Sequence, residues 1–248
     1  GKLVAAGCKL TDIKCGVDST EEMRQKVDAA DVLIISGGNT LYAIDYWNKC
    51  GLAGMLKVAA DRGCVLSGGS AGAICWFDAG HSDSADSDSY KAQMIREAEE
   101  EAAAATGVIK DEATTLKEGE AAKPWEYIRV SCLGFLPGLV CPHADKVQSN
   151  GVLRVTDFDQ MLLRHSGERG ICIDHFAALI VEGETYSVLS LPGRPGSVLA
   201  NGGFSEAREG APGIWVKDVT ADGKIVTRLA APTGLLAELV KEAVRRVE

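Results

Sequence analysis

"SGGSAGAICWF", residues 67–77, sets a serine among glycines, directly after one apolar run and directly before another. The run before it, Cys64-Val65-Leu66-Ser67, reads as a strand, and a helix is expected from about Ser70. Gly68-Gly69-Ser70-Ala71-Gly72 therefore fits G-x-S-x-G in the strand–turn–helix setting that gives the pattern meaning. A sharp turn of this kind forces the serine into a strained backbone state, and flanking glycines leave room for the neighbouring chain. The N–H of Ala71 would stand free at a helix N-terminus, where donor and dipole favour a developing oxyanion. The bland alternatives are a tight turn or a phosphate cradle. A Walker-type loop is excluded, because no lysine follows the glycines.

Outward from this turn, the first eighty residues alternate strand and helix. KLVAAG (2–7) reads as a short buried strand. Ser19-Thr20-Glu21-Glu22 is a capping box that opens a helix to about Ala30. VLIIS (32–36) is a β-branched run expected to be covered on both faces. Gly37-Gly38 then turns into a helix capped by Asn39 or Thr40. This order predicts an α/β fold on a parallel sheet, with ligands bound outside the carboxyl ends of strands. The two glycine-rich turns, 36–39 and 67–72, would share one pocket.

Residues 82–124 change character. Between Asp83 and Glu126 there are twelve acidic and five basic side chains, and REAEEEAAAA is a strong helix former. The expectation is a solvated helical insertion, with a lid over the site as the alternative. Core-like sequence then resumes as strand–turn–strand at 130–143 and a helix near 156–165. Closely spaced, antiparallel strands are expected at 169–174, 177–183 and 185–191. A strand pair near 213–217 and 224–228 and an amphipathic helix at 233–247 follow. With no internal repeat or linker, residues 1–248 read as one domain.

The chain has 248 residues, 46% of them hydrophobic and 25% charged, with a net charge of −9. That balance argues against nucleic acid or an anionic membrane as the main partner. No apolar run is long enough to span a membrane, and the opening residues lack a signal-peptide pattern. Eight cysteines without a C-x-x-C pair read as a reducing, cytoplasmic setting.

A serine nucleophile needs a base, and four histidines are available. His165 sits at a polar helix end. His81 follows the elbow helix, and His175 follows Asp174 at a strand end. His143 leads, because an apolar strand and Pro142 position it. For an orienting carboxylate, Asp145 is near in sequence, whereas Asp174 lies on a separate strand and could meet His143 across the site. A cysteine nucleophile at Cys75 or Cys141 is the weaker alternative.

Together, SGGNT, GGSAGAICWF, LGFLPGLVCPHAD and RGICIDHFAALIVEG resemble peptidase E, the aspartyl dipeptidase family that also contains cyanophycinase. The resemblance implies a three-layer sandwich around a mostly parallel sheet, like class I glutamine amidotransferases. It also implies a Ser70–His143–Asp174 triad, oxyanion donors at Gly38 and Ala71, and no metal or organic cofactor. The implied activity is serine-type hydrolysis of dipeptides with N-terminal aspartate through an acyl-enzyme. The alternatives are hydrolysis of β-Asp-Arg bonds, as in cyanophycinase, or a non-catalytic binding module of the same fold. The substrate-binding candidates are Asn39 and Arg154, with Lys146 a further cation for the substrate carboxylate and Arg154 equally readable as a surface ion-pair residue. The expected partner is a small peptide, and a homo-oligomer is compatible with this reading.

Overall fold

The computed structural model describes residues 2–86 and 124–242. Most of the acidic insertion expected at 82–124, and the end of the helix expected at 233–247, lie outside the described residues. The amino-terminal third runs α1 (Lys2–Ala5), α2 (Thr20–Asp28), β1 (Val32–Ile35), α3 (Thr40–Cys50), α4 (Leu52–Asp61), β2 (Val65–Gly68), α5 (Ala71–Ile74) and β3 (Phe77–Ser82). After the insertion come β4 (Ile128–Ser131), β5 (Leu136–Pro142), α6 (Arg154–Arg164), β6 (Gly170–Ile173), β7 (Ala177–Glu182) and β8 (Thr185–Ser190). The described chain closes with β9 (Ile214–Val219), β10 (Ile225–Leu229), β11 (Thr233–Leu235) and α7 (Leu236–Leu239).

The local signals that set helix starts behave as their chemistry requires. Ser19 and Glu22 form the reciprocal capping box of α2. Asn39 caps α3 by accepting from the Tyr42 N–H at 3.0 Å. Gly51, at φ 82°, ends α3 in the left-handed conformation.

The sheets have a parallel centre with antiparallel flanks. β1 pairs parallel with β2. The six-stranded sheet has the order β10-β9-β6-β5-β3-β4, in which β3, β5 and β6 run parallel and β4, β9 and β10 are antiparallel to their neighbours. A third, antiparallel sheet has the order β11-β8-β7.

Strand alternation divides the core between the two faces of the large sheet. Leu139, Cys141, Cys172 and Trp215 pack with Phe158, Met161 and Leu162 of α6 on one face. Val140, Ile171, Ile173, Ile214 and Val216 pack on the other face with Ile74 of α5, Tyr186 of β8 and Leu239 of α7. The sheet is thus a middle layer covered on both sides.

Several expectations are corrected. Residues 2–5 are helical and leave Leu3 and Val4 exposed; no strand among the described residues pairs with them, and the Ala-containing run has good helix propensity. β1 is covered on one face only, since Val32 and Ile34 are 51% and 59% exposed and Val65 beside them is 57% exposed. β6 joins the central sheet parallel to β5, and only β7 and β8 form the expected antiparallel hairpin. Residues 233–235 are a strand, because they find β8 as a partner.

The elbow is where packing is tightest. A Cβ on Gly72 would lie 2.1 Å from the Ile35 carbonyl oxygen, and one on Gly68 would lie 2.4 Å from the Gly72 carbonyl oxygen. A Cβ on Gly69 would meet open space. Gly72→Ala should therefore cost at least about 1–3 kcal/mol, the range for overpacking a rigid site. Gly69→Ala should stay within about 0.5 kcal/mol of wild type. Urea midpoints of the two variants check this; equal midpoints would show that β1 does not press on the elbow.

Candidate active site

Five strand ends meet along one rim. Parallel pairing puts the carboxyl ends of β1 and β2 together, and likewise those of β3, β5 and β6. Hydrogen bonds join the two groups. Asn39 donates to the Ser84 carbonyl at 3.0 Å, the Leu41 N–H donates to Ser84 Oγ at 3.1 Å, and Ser82 donates to Thr40 at 3.1 Å. The Ala144 N–H donates to the Ile173 carbonyl at 3.1 Å, tying the ends of β5 and β6. α5, just past the elbow, packs on β1, β2, β3 and β5. The rim therefore carries Gly37-Gly38-Asn39, Ser70, residues 82–86, His143 and Asp174-His175.

Ser70 occupies φ 55°, ψ −122°, a region that non-glycine residues rarely adopt. Such strain persists only where the surroundings enforce it, and here β1 and the two elbow glycines do. Ser70 is half-buried, and its hydroxyl has no hydrogen-bond partner among the described residues. The Gly37-Gly38 turn lies against it, so close that a Cβ on Gly37 would be 3.2 Å from the Ser70 Cβ. The N–H groups of Gly38 and Ala71 are not taken by any group among the described residues. Two untaken backbone donors next to a strained hydroxyl suit an acyl-transfer oxyanion.

His143 follows β5 directly and also has positive φ, 49°. Its Nδ1 lies 2.7 Å from Nδ1 of His175. Its Nε2 is buried and has no hydrogen-bond partner among the described residues, Ser70 included. Burial, together with the charges of Arg154, His175 and Lys146, pushes the His143 imidazole down to about 3. It is therefore neutral, as a base must be, across the physiological range.

Asp174 lies beside this pair but is engaged elsewhere. Its carboxylate accepts from the Ser197 N–H and hydroxyl and from the Gly213 N–H, at 2.7–3.0 Å, and no hydrogen bond joins it to His143. Burial and the neighbouring Asp145 raise it to about 6. Asp145 is committed too, accepting from the His175 N–H at 2.7 Å and from Arg208 at 2.6 Å.

The two substrate-binding candidates are both engaged within the protein. The Asn39 side chain is consumed in the α3 cap and the bond to Ser84. Arg154 is 1% exposed, donates to Nδ1 and the carbonyl of His81, and lies 5.1 Å from the Tyr127 ring. The Gln148 amide, turned to suit its partners, accepts from Arg154 at 2.9 Å. His81 in turn bonds Asp157 at 2.8 Å, so Arg154 and His81 form a polar network behind the rim rather than at the surface. Cys75 donates to the Ala71 carbonyl, and burial pushes its thiol far above the usual range, which is unsuitable for a nucleophile. Cys141 is wholly buried within the sheet.

Sequence reasoning missed the contact that His175 makes. It weighed His175 only as a base, although its place immediately after the expected acid carried the signal.

With this geometry in view, comparison with known proteins is informative. The model of peptidase family S51 matches residues 2–99, from α1 through the elbow and β3. A Trypanosoma brucei brucei protein named G2/mitotic-specific cyclin-1 is 29% identical over 224 residues, 90% of this chain and 60% of that one. The peptidase YgaJ of Bacillus subtilis (strain 168), itself uncharacterised, is 47% identical over 55 residues, 22% of this chain and 24% of its own. The chain thus spans less than two-thirds of the length of the curated relatives it matches. A solved structure of a candidate peptidase E from Listeria monocytogenes EGD-e aligns with a TM-score of 0.47 and 15% identity, over 76% of this chain and 74% of that one.

The two perturbed groups give the protein opposing acid responses. Below about pH 6.5 the unfolded chain protonates His143 while the folded chain does not until near 3, so stability falls on acidification. Between about 6 and 4 the folded chain holds the Asp174 proton that the unfolded chain releases, so this group adds stability on acidification. Asparagine tolerates positive φ, so His143→Asn should fold. Its unfolding free energy, from urea titrations between pH 6.5 and 4, should fall less on acidification than that of wild type. Parallel curves would place His143 in water.

Proposed function

We propose that the protein is a serine peptidase that removes N-terminal aspartate from dipeptides. One observation carries this reading: a serine held at φ 55° at the start of a helix, next to the Gly38 and Ala71 N–H groups, which are untaken among the described residues. Nothing in packing alone requires a hydroxyl there, and the strain must be offset by the surrounding structure.

In the proposed reaction, His143 Nε2 takes the Ser70 proton as Oγ attacks the peptide carbonyl. The oxyanion is held by the N–H groups of Gly38 and Ala71. His143 then gives its proton to the leaving amine, and water hydrolyses the acyl-enzyme by the reverse sequence. The missing hydrogen bond between Ser70 and His143 does not argue against this, since such bonds often tighten only with substrate bound. Asp174, the acid expected from sequence, serves this site by fixing the 197–213 segment around the imidazole pair.

Recognition of an acidic residue needs a cation. Arg154 is engaged behind the rim, whereas Lys146, three residues after His143, forms no ion pair among the described residues and acts electrostatically on His143. Arg208 acts electrostatically on Lys146, and Arg208 and Arg194 lie over the Phe176 ring at 5.7 and 5.2 Å. This basic group supports a substrate carboxylate at the rim.

The test is hydrolysis of Asp-Leu, Ala-Leu, β-Asp-Arg and an N-blocked Asp-Leu by wild type, Ser70→Ala and Lys146→Ala. Asp-Leu should be cleaved, the blocked peptide should not, and Ser70→Ala should lose at least about a thousandfold in kcat. Lys146→Ala should raise KM for Asp-Leu more than for Ala-Leu. Preference for β-Asp-Arg would move the reading to the cyanophycinase type. Wild-type activity no greater than that of Ser70→Ala would leave a binding module of the same fold.

A further inference from the structure

We propose that His175, rather than a carboxylate, is the positioning residue that holds His143 in the tautomer a general base needs. The inference rests on the peptidase reading for its consequences, but the pairing stands on geometry alone.

The two Nδ1 atoms are 2.7 Å apart, and the rings are 4.8 Å apart at 46°. At that distance two N–H groups would collide and two lone pairs would repel, so one proton lies between the rings. Either His143 donates it and keeps a lone pair on Nε2, or His175 donates it and His143 carries N–H on Nε2. His143 Nε2 is buried without a partner. A buried N–H lacking an acceptor is the costlier state, because such orphans are rarer than unsatisfied acceptors. Moreover, the charges that lower His143 come from Arg154, His175 and Lys146, and the fixed cations Arg154 and Lys146 favour a lone pair over a further positive hydrogen. The proton therefore belongs on His143 Nδ1, with His175 Nδ1 as its acceptor and the single His175 ring proton on Nε2.

Among the described residues, no carboxylate is bonded to His143 Nδ1. Asp174 is saturated by Ser197 and Gly213, and Asp145 by the His175 N–H and Arg208. These bonds fix His175 instead. Asp145 holds its backbone, and the Phe176 ring packs edge-on at 4.4 Å. A neutral partner fixes orientation and tautomer as a carboxylate does, but gives the imidazolium no counter-charge. Among the described residues, the charged groups facing the pair are Arg154 and Lys146 on His143, and Asp145, with its Arg208 partner, on the His175 side. Proton uptake by His143 during the reaction is correspondingly weakly supported, and a slow enzyme with little dependence on pH above 5 is expected.

Nitrogen-15 NMR of histidine-labelled wild type and Ser70→Ala decides the pairing without any substrate. His143 should appear as the Nδ1–H tautomer at pH 7, with a coupling across to His175 Nδ1. In kinetics on Asp-Leu, His175→Ala should lose at least about tenfold in kcat, a fraction of what a lost triad carboxylate costs, with KM unchanged. His175→Gln, which keeps an acceptor, should recover most of it. His175→Glu should move the acidic limb of kcat/KM upward, because a carboxylate favours the imidazolium. An Nε2–H tautomer in wild type, or a His175→Ala enzyme with wild-type kcat and an unchanged His143 tautomer, would overturn the proposal. A locked Nδ1–H tautomer in a protein that cleaves none of the peptides would sink the peptidase reading and leave the pair intact.

Discussion

The Ile35 carbonyl at the end of β1 presses on the elbow so closely that neither Gly68 nor Gly72 can carry a side chain. That contact decides the conformation of Ser70. With a helix starting immediately after it and a strand end beside it, the serine takes a strained positive-φ backbone state. The same approach brings the Gly37-Gly38 turn against Ser70 and so sets a second free N–H beside the first. One backbone contact thereby produces both the strained hydroxyl and the donors around it, which is pre-organisation in its plainest form.

The far side of the rim is built on a different principle. There, charge and burial divide the work among neighbouring residues. His143 stays neutral because it is buried near cations, whereas Asp174 and Asp145 spend their oxygen atoms on the segments that enclose it. Arg154 and His81 form a buried layer behind, anchored by Asp157, that ties α6 to β3. Mobility at the rim would be costly for such a site, and these hydrogen bonds restrain it.

Much of this was legible in the sequence where the determinants are local. The Ser19–Glu22 capping box, the Asn39 cap and the glycine-flanked serine each depend on residues a few positions apart, and each took the expected form. Features set by tertiary packing were not legible. VLIIS looks the same whether one face or two are covered, and only the structure exposes Val32 and Ile34. Arg154 carries no sequence mark distinguishing a surface cation from one buried under Tyr127. The acid expected at Asp174 and the imidazole at His175 are adjacent in sequence and point to different partners, a distinction that depends on which side of the backbone faces β5.

The central claim, that Ser70 is an activated nucleophile served by His143, is tested most directly by covalent capture. Wild-type protein treated with a small fluorophosphonate and mapped by peptide mass spectrometry should carry one adduct, on Ser70, formed far more slowly in His143→Asn. Modification spread over ordinary surface serines, or a Ser70 adduct forming as fast without His143, would contradict it.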